Sequence, residues 1–185
     1  IETGAGLIPG SSLEITSVTL ALERPGDPEL LELEAEGEQL EGFKVPVGVP
    51  HNVIPWPEGV ARAPVESLGR HLRSDPAFGD AGTNVDFAHF VERHRLDIRT
   101  YERGVENETL ACGTGVMASV AVGVALGELE LPVTVLTRGG FQFEVGSWIS
   151  AKGDALWGLK GDARLLAEGE IVEGAEDLPV PPPWR

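Results

Sequence analysis

A single cysteine beside two glycines is the residue of this sequence with the clearest capacity for chemistry. Cys112 precedes Gly113-Thr114-Gly115 and an apolar run that ends at Gly127. A run of about a dozen such residues favours a helix over a strand. A thiol at the start of a helix feels the positive end of the helix dipole, which favours the thiolate. We therefore predict that Cys112 has a lowered pKa and serves as a base near neutral pH.

The glycines next to this cysteine predict an anion-binding site beside the base. Gly113 and Gly115 leave backbone N–H groups uncovered at the predicted helix start, where a carboxylate or an oxyanion can be held. A lone cysteine is more often a small buried apolar residue. The glycines and the helix start favour the chemical interpretation here.

Four other polar residues are candidates for the functional site because of their positions. Glu102 and Arg103 end a predicted strand just before the cysteine loop, although a surface ion pair is the default for such a pair. Asn84 closes the turn-like segment Gly82-Thr83-Asn84 ahead of another predicted strand. His51 follows Pro50, and an ordinary loop or core histidine is the default there.

Short strands dominate the elements that must position these residues. Strands are predicted over residues 15–22, 30–33, 40–47, 53–56, 85–91 and 96–101, then on both sides of the Gly139-Gly140 turn and around Trp148, Leu156 and Leu165. One short helix is predicted over residues 65–72, after Pro64. The helix that starts at Cys112 is apolar on every face and must be buried on every face. The predicted fold class is therefore α+β, with antiparallel strands wrapped around one buried central helix.

Composition narrows the class of protein. The 185 residues are 42% hydrophobic, which is enough for one ordinary core. The formal net charge of −16 argues against nucleic acid or an anionic membrane surface as a partner. One cysteine allows no internal disulfide and suits a reducing cytoplasm. The four histidines lack metal-ligand spacing, so neither a metal nor a cofactor is predicted.

Several motifs occur in an order typical of one enzyme family. The segments PH, GTNVDF, ERG, ETLACGTG and KGDARLLAEGEI closely resemble the C-terminal half of diaminopimelate epimerase, over about residues 1–171. The resemblance implies one lobe of a two-lobed fold, over residues 1–173, followed by a proline-rich tail over residues 174–185. It also implies an enzyme without pyridoxal phosphate or metal. The resemblance further implies that two cysteines, one from each lobe, face opposite sides of the substrate α-carbon and convert LL-diaminopimelate to the meso form.

The resemblance assigns roles to individual residues. The implied catalytic residues are Cys112 as the second cysteine, Glu102 as the carboxylate that assists it, and His51 as the histidine that assists the other cysteine. The implied substrate-binding residues are Asn84, Glu102 and Arg103 for the distal amino-acid end, and Gly113 and Thr114 for the reacting carboxylate. The N-terminal lobe with the first cysteine is expected to lie outside this chain. The family also suggests a homodimer, and the single cysteine suits a cytoplasmic location.

The sequence departs from the usual family pattern at two places, and two other functions remain open. Val49 stands where the family often has Asn, and the loop over residues 105–109 is one residue longer than the commonest form. The first alternative is an isomerase of the same superfamily that acts on another amino acid. The second is a noncatalytic lobe that binds an amino acid.

Overall fold

Strands are the predominant secondary structure of the described residues. The computed structural model describes residues 2–3, 6–14, 16–149, 153, 155–164, 166 and 168–170. The strands are β1 (Glu2–Thr3), β2 (Gly6–Leu7), β3 (Gly10–Glu14), β4 (Ser17–Leu22), β5 (Glu29–Ala35), β6 (Glu38–Val47), β7 (Val49–Pro55), β8 (Asn84–Glu92), β9 (Arg95–Glu102), β10 (Asn107–Thr109), β11 (Val133–Leu136), β12 (Gln142–Ile149) and β13 (Ala155–Asp162). The helices are α1 (Val65–Leu72) and α2 (Gly113–Ala125), with short 3-10 turns at Val60–Arg62 and Pro76–Phe78.

The main sheet is mixed. Its strand order is β3-β4-β13-β12-β11-β9-β8-β7-β6-β5, and β10 pairs with β9. Strands β7 and β8 are parallel, as are β9 and β11, so the predicted antiparallel arrangement does not hold for these two pairs. Each parallel pair is joined by a crossover that contains a helix, α1 in the first and α2 in the second. The alternation of apolar and polar residues along a strand predicts which residues are buried. It does not predict whether the neighbouring strand runs parallel or antiparallel when a crossover joins the two.

Helix α2 is the centre of the larger core. Val116, Met117, Val120 and Val122 have no exposed surface. They pack with buried residues that come from seven strands of the sheet: Val45, Val53, Ala88, Leu96, Ile98, Val133, Val135, Val145 and Trp157. This arrangement confirms the α+β class and the buried central helix. The helix ends at Ala125, just before Gly127 with its positive φ of 76°, as its sequence predicted.

Helix α1 covers the opposite face of the sheet. It spans the predicted residues 65–72, and its buried side chains join a second core cluster with Val85, Phe87 and Tyr101. Among the described residues, neither helix combines the length and the apolar character that crossing a membrane requires. The predicted strand near Leu165 and the predicted tail over residues 174–185 lie outside the described residues, so the division at residue 173 stays a prediction.

Candidate active site

Three neighbouring strands present polar side chains toward the central helix. His51 of β7 lies opposite Asn84 of β8 in the parallel register, and Asp86 of β8 lies opposite Thr100 of β9. Side chains alternate along a strand, so Asn84 and Asp86 point to the α2 side while Val85 joins the cluster around α1. His51 therefore lies within a buried strand, which agrees with the core position and not the loop position that its sequence context allowed.

These four side chains form one buried hydrogen-bonded chain. His51 Nδ1 lies 2.7 Å from Asp86 Oδ2, and neither side chain is exposed. The Thr100 hydroxyl donates to Asp86 Oδ1 at 2.7 Å. On the other side of the imidazole, His51 Nε2 is 3.4 Å from Asn84 Nδ2. Asn84 Oδ1 accepts the backbone N–H of Arg103 at 2.8 Å, so the chain runs from the core to the end of β9.

Cys112 is the residue that caps the start of α2. Its backbone is extended, with φ −133° and ψ 107°, and its carbonyl accepts the Val116 N–H at 2.9 Å. The N–H groups of Gly113 and Thr114 precede that first helical hydrogen bond and have no acceptor within the helix. The half-buried sulfur lies 3.5 Å from Thr114 Oγ1. This helix start can hold a carboxylate next to a thiol.

The ionisation of Cys112 differs from the sequence-based prediction. Burial raises the pKa of the thiol to about 11, and the negative charges of Asp86 and Glu102 act in the same direction. The Thr114 hydroxyl and the Gly115 N–H stabilise the thiolate, but their effect on the pKa is outweighed. The predicted lowering is therefore wrong for this structure, because desolvation and two carboxylates exceed the favourable effect of the helix start. At neutral pH the sulfur carries its proton.

The loop that follows Arg103 is anchored by Glu106. Glu106 adopts a positive φ of 59° and accepts hydrogen bonds from Arg73 Nε at 2.8 and 2.9 Å. It also accepts the Gly104 N–H at 3.0 Å. The Arg73 guanidinium, followed by the Gly104 N–H, lowers the pKa of the Glu106 carboxyl. The loop is thus tied to the end of α1, next to the backbone N–H that donates to Asn84.

The structure places the predicted residues in two adjacent groups. His51, Asn84 and the Arg103 backbone belong to the buried chain, whereas Gly113 and Thr114 surround Cys112 at the helix start. Asp86 contacts both groups. It bonds His51, and its carboxylate lies so close to Gly115 that an added Cβ would overlap it. Sequence reasoning missed Asp86 and Thr100. The signal for Asp86 was a charged residue on the same strand face as Asn84 in an otherwise apolar segment.

The described residues also bear on two other kinds of site, a cavity and a metal centre. A cavity of about 510 Å³ is lined by residues that include His89, Asp97 and Arg138, but by none of the predicted site residues. Within the described ranges, no three His, Cys, Asp or Glu side chains are grouped closely enough to bind a metal ion.

Comparisons with known proteins agree on one family. The family model for diaminopimelate epimerase matches residues 43–148. Diaminopimelate epimerase of Aquifex aeolicus is 43% identical over 141 residues, which cover 75% of this chain and 50% of that protein. The enzyme of Burkholderia thailandensis is 35% identical over 183 residues, covering 97% of this chain and 59% of that protein. The chain thus spans half to three fifths of the length of these curated relatives.

Two solved structures share the fold. A hydroxyproline epimerase from Agrobacterium vitis has a TM-score of 0.57 at 18% identity, covering 87% of this chain and 55% of its own. A phenazine biosynthesis PhzF family protein from Enterococcus faecalis has a TM-score of 0.57 at 18% identity, covering 89% of this chain and 64% of its own. At this identity the likeness concerns the fold alone.

Proposed function

The chain belongs to the diaminopimelate epimerase family, and on that premise we propose that it provides one of the two acid/base arms of an enzyme that epimerises LL-diaminopimelate to the meso form. The observation that carries the proposal is Cys112 at the start of a buried helix, beside N–H groups without helical acceptors. The reaction requires proton exchange at an α-carbon next to a carboxylate. A thiol and an anion site side by side supply both needs.

The protonated state of Cys112 suits one direction of this chemistry. A base on the far side of the α-carbon removes the proton, and the Cys112 thiol delivers its own proton to the near side. The thiolate that remains is the base for the reverse reaction. Negative charge that develops on the substrate carboxylate is stabilised by the N–H groups of Gly113 and Thr114. Neither step needs pyridoxal phosphate or a metal.

The substrate itself would correct the unfavourable electrostatics around the sulfur. Burial and two carboxylates raise the pKa of Cys112 to about 11. An α-ammonium group bound next to the sulfur adds a positive charge, which favours the thiolate and lowers that pKa. The thiolate would thus become accessible when substrate is bound, as an acid/base pair for proton exchange requires.

The distal end of the substrate is assigned to the neighbouring strand ends. Arg103 would hold the distal carboxylate and Glu102 the distal ammonium group, and Asn84 would complete this distal site. These charges select a diamino diacid over a simple amino acid. Glu102 would also assist Cys112, and His51 would assist the acid/base group on the opposite face of the substrate.

Further features of the proposal come from the family rather than the geometry. We infer a role in lysine and cell-wall precursor biosynthesis, a cytoplasmic location and a homodimer. The single cysteine is in keeping with a reducing compartment.

Proton NMR of LL-diaminopimelate in deuterated water tests the proposal. The sample is a reduced protein that contains this chain together with a first lobe like that of its relatives. We expect loss of the α-proton signal and appearance of the meso isomer. Cys112→Ala should abolish turnover, and Cys112→Ser should be nearly as damaging because a hydroxyl is a much poorer base than a thiolate.

Other outcomes separate the alternatives. Exchange of a different amino acid in a substrate panel, without exchange of diaminopimelate, would identify an isomerase of other specificity. Saturation-transfer binding of an amino acid without any exchange would indicate a noncatalytic lobe. Turnover by Cys112→Ala at the wild-type rate would remove Cys112 from the mechanism.

A further inference from the structure

The buried imidazole of His51 has a hydrogen-bonding partner on each ring nitrogen. On one side, Asp86 Oδ2 lies 2.7 Å from Nδ1, and both side chains are fully buried. The second oxygen of Asp86 accepts the Thr100 hydroxyl at 2.7 Å. An ionised carboxylate can only accept hydrogen bonds, so Nδ1 must carry a proton.

The opposite nitrogen is constrained by the orientation of an amide. Asn84 Oδ1 accepts the Arg103 backbone N–H at 2.8 Å, and a backbone N–H can only donate. The amide therefore cannot flip, and its Nδ2 group faces His51 Nε2 at 3.4 Å. An NH₂ group only donates, so Nε2 must carry a lone pair. A proton on Nε2 would place two donors face to face.

We propose that Asp86 is a positioning residue that, together with the pinned amide of Asn84, holds His51 as the neutral Nδ1–H tautomer with Nε2 as its proton-accepting atom. The 3.4 Å contact of Nε2 is long for a hydrogen bond, whereas the contact of Nδ1 is short. Nε2 is thus the nitrogen that can exchange its partner for a reacting group. In the enzyme this role rests on the proposed function, in which His51 assists the acid/base group opposite Cys112.

Asp86 also touches the other arm of the site. Its carboxylate lies so close to Gly115 that a Cβ there would overlap Oδ1, and Thr100 Oγ1 would be 3.3 Å away. The charged groups that face Cys112 are Asp86 from β8 and Glu102 from β9. One carboxylate therefore orients the histidine on one strand and faces the start of the cysteine helix.

NMR of the ¹⁵N-histidine-labelled chain tests the tautomer directly. In the wild type at pH 8, long-range ¹H–¹⁵N correlations should show His51 with a protonated Nδ1 and a bare Nε2, and a downfield Nδ1–H resonance. Thr100→Val should keep this pattern, because it leaves the contact between Asp86 and His51 in place. Asp86→Asn should move the Nδ1–H resonance upfield or abolish it, because the charge-assisted acceptor is lost.

The outcomes separate a positioning role from a merely structural one. Either buried substitution can lower stability, so the positioning role is judged from the His51 Nδ1–H resonance and not from the melting temperature. A wild-type His51 protonated on Nε2, or an unchanged resonance in Asp86→Asn, would overturn the proposal. If Asp86→Asn does not fold, the proposal is still tested by the His51 tautomer in the wild type and in Thr100→Val.

Kinetics of the two-lobed protein give a second readout. Asp86→Asn should lower kcat by about 10² with little change in KM, since it disturbs a proton-transfer group and not a binding group. A wild-type kcat in Asp86→Asn would overturn the catalytic consequence. If the wild type itself shows no epimerisation, the proposed function fails while the tautomer result stands by itself.

Discussion

At the scale of single residues, the ionisation of the only cysteine is decided by its surroundings. Burial is the largest influence on the Cys112 pKa, followed by the charge of Asp86. The hydrogen bonds at the helix start act in the opposite direction and are weaker in total. With a pKa of about 11, roughly one sulfur in 10⁴ is ionised at pH 7. The structure thus describes a proton donor that becomes a base only when its environment changes.

Thiol alkylation measures this pKa without interference, because the chain has one cysteine. The rate of reaction with iodoacetamide should rise with pH toward a midpoint near 11 for the wild type. Asp86→Asn removes a negative charge and should lower the midpoint by about one unit. Glu102→Gln should lower it less, because Glu102 has the smaller influence.

The urea-unfolded chain is the control and should titrate near the ordinary cysteine pKa of about 8.5. A folded wild type that titrates at or below the unfolded chain would contradict the prediction. A midpoint that Asp86→Asn leaves unchanged would show that the carboxylate is neutral or screened from the sulfur.

At the scale of elements, the site depends on how closely α2 approaches β8. The first turn of the helix lies directly on the carboxylate of Asp86, and only a residue without Cβ fits at Gly115. Gly113, one residue after the cysteine, has a roomier position, where a Cβ would meet only Leu159 Cδ2 at 3.3 Å. The two glycines of this motif therefore serve different structural purposes. Gly115 permits close packing, whereas Gly113 lies at the accessible start of the helix.

Gly115→Ala should destabilise the fold by about 1–3 kcal/mol, because the added methyl group overpacks a buried polar contact. Gly113→Ala is the matched control and should be neutral or slightly stabilising, since alanine favours the helix and the leucine methyl can move. Urea unfolding followed by circular dichroism measures both changes. Equal effects of the two substitutions would contradict this account of the close contact.

At the scale of the whole molecule, one helix holds together strands from distant parts of the chain. Residues that pack with α2 come from β6 at one side and from β13 at the other. Because these contacts are shared, the described strands are expected to unfold with the helix in one transition. The formal charge of −16 adds self-repulsion to the compact state, which makes this shared core more important for stability.

Met117→Ala should lower the free energy of unfolding by about 2–5 kcal/mol, because the side chain is fully buried. Leu126→Ala, at a side chain that is 46% exposed, is the control and should cost much less. Tryptophan fluorescence and far-ultraviolet circular dichroism should report the same midpoint for Met117→Ala. Two separate midpoints would show that the strands on one side of α2 unfold independently.

Local patterns in the sequence determined most of the elements. The apolar run after Cys112 has the composition and length of a buried helix, and the structure confirms α2 from residue 113 to residue 125. The alternation over residues 85–91 and 96–101 predicted two strands, which are present as the antiparallel pair β8 and β9. These features depend on neighbours in the chain, so propensity and periodicity suffice to find them. The candidate residues were likewise found from several short motifs, each of which is continuous in sequence.

The tertiary structure alone decided how those elements combine into a site. His51 and Asp86 are 35 residues apart and meet because β7 and β8 pair in parallel, which no local pattern indicates. The sign of the Cys112 pKa shift followed from burial and from a carboxylate on another strand, neither of which helix position predicts. Both results depend on distances through space. Sequence spacing determines which residues begin a helix or end a strand, but long-range packing determines which charges they face and how much water remains around them.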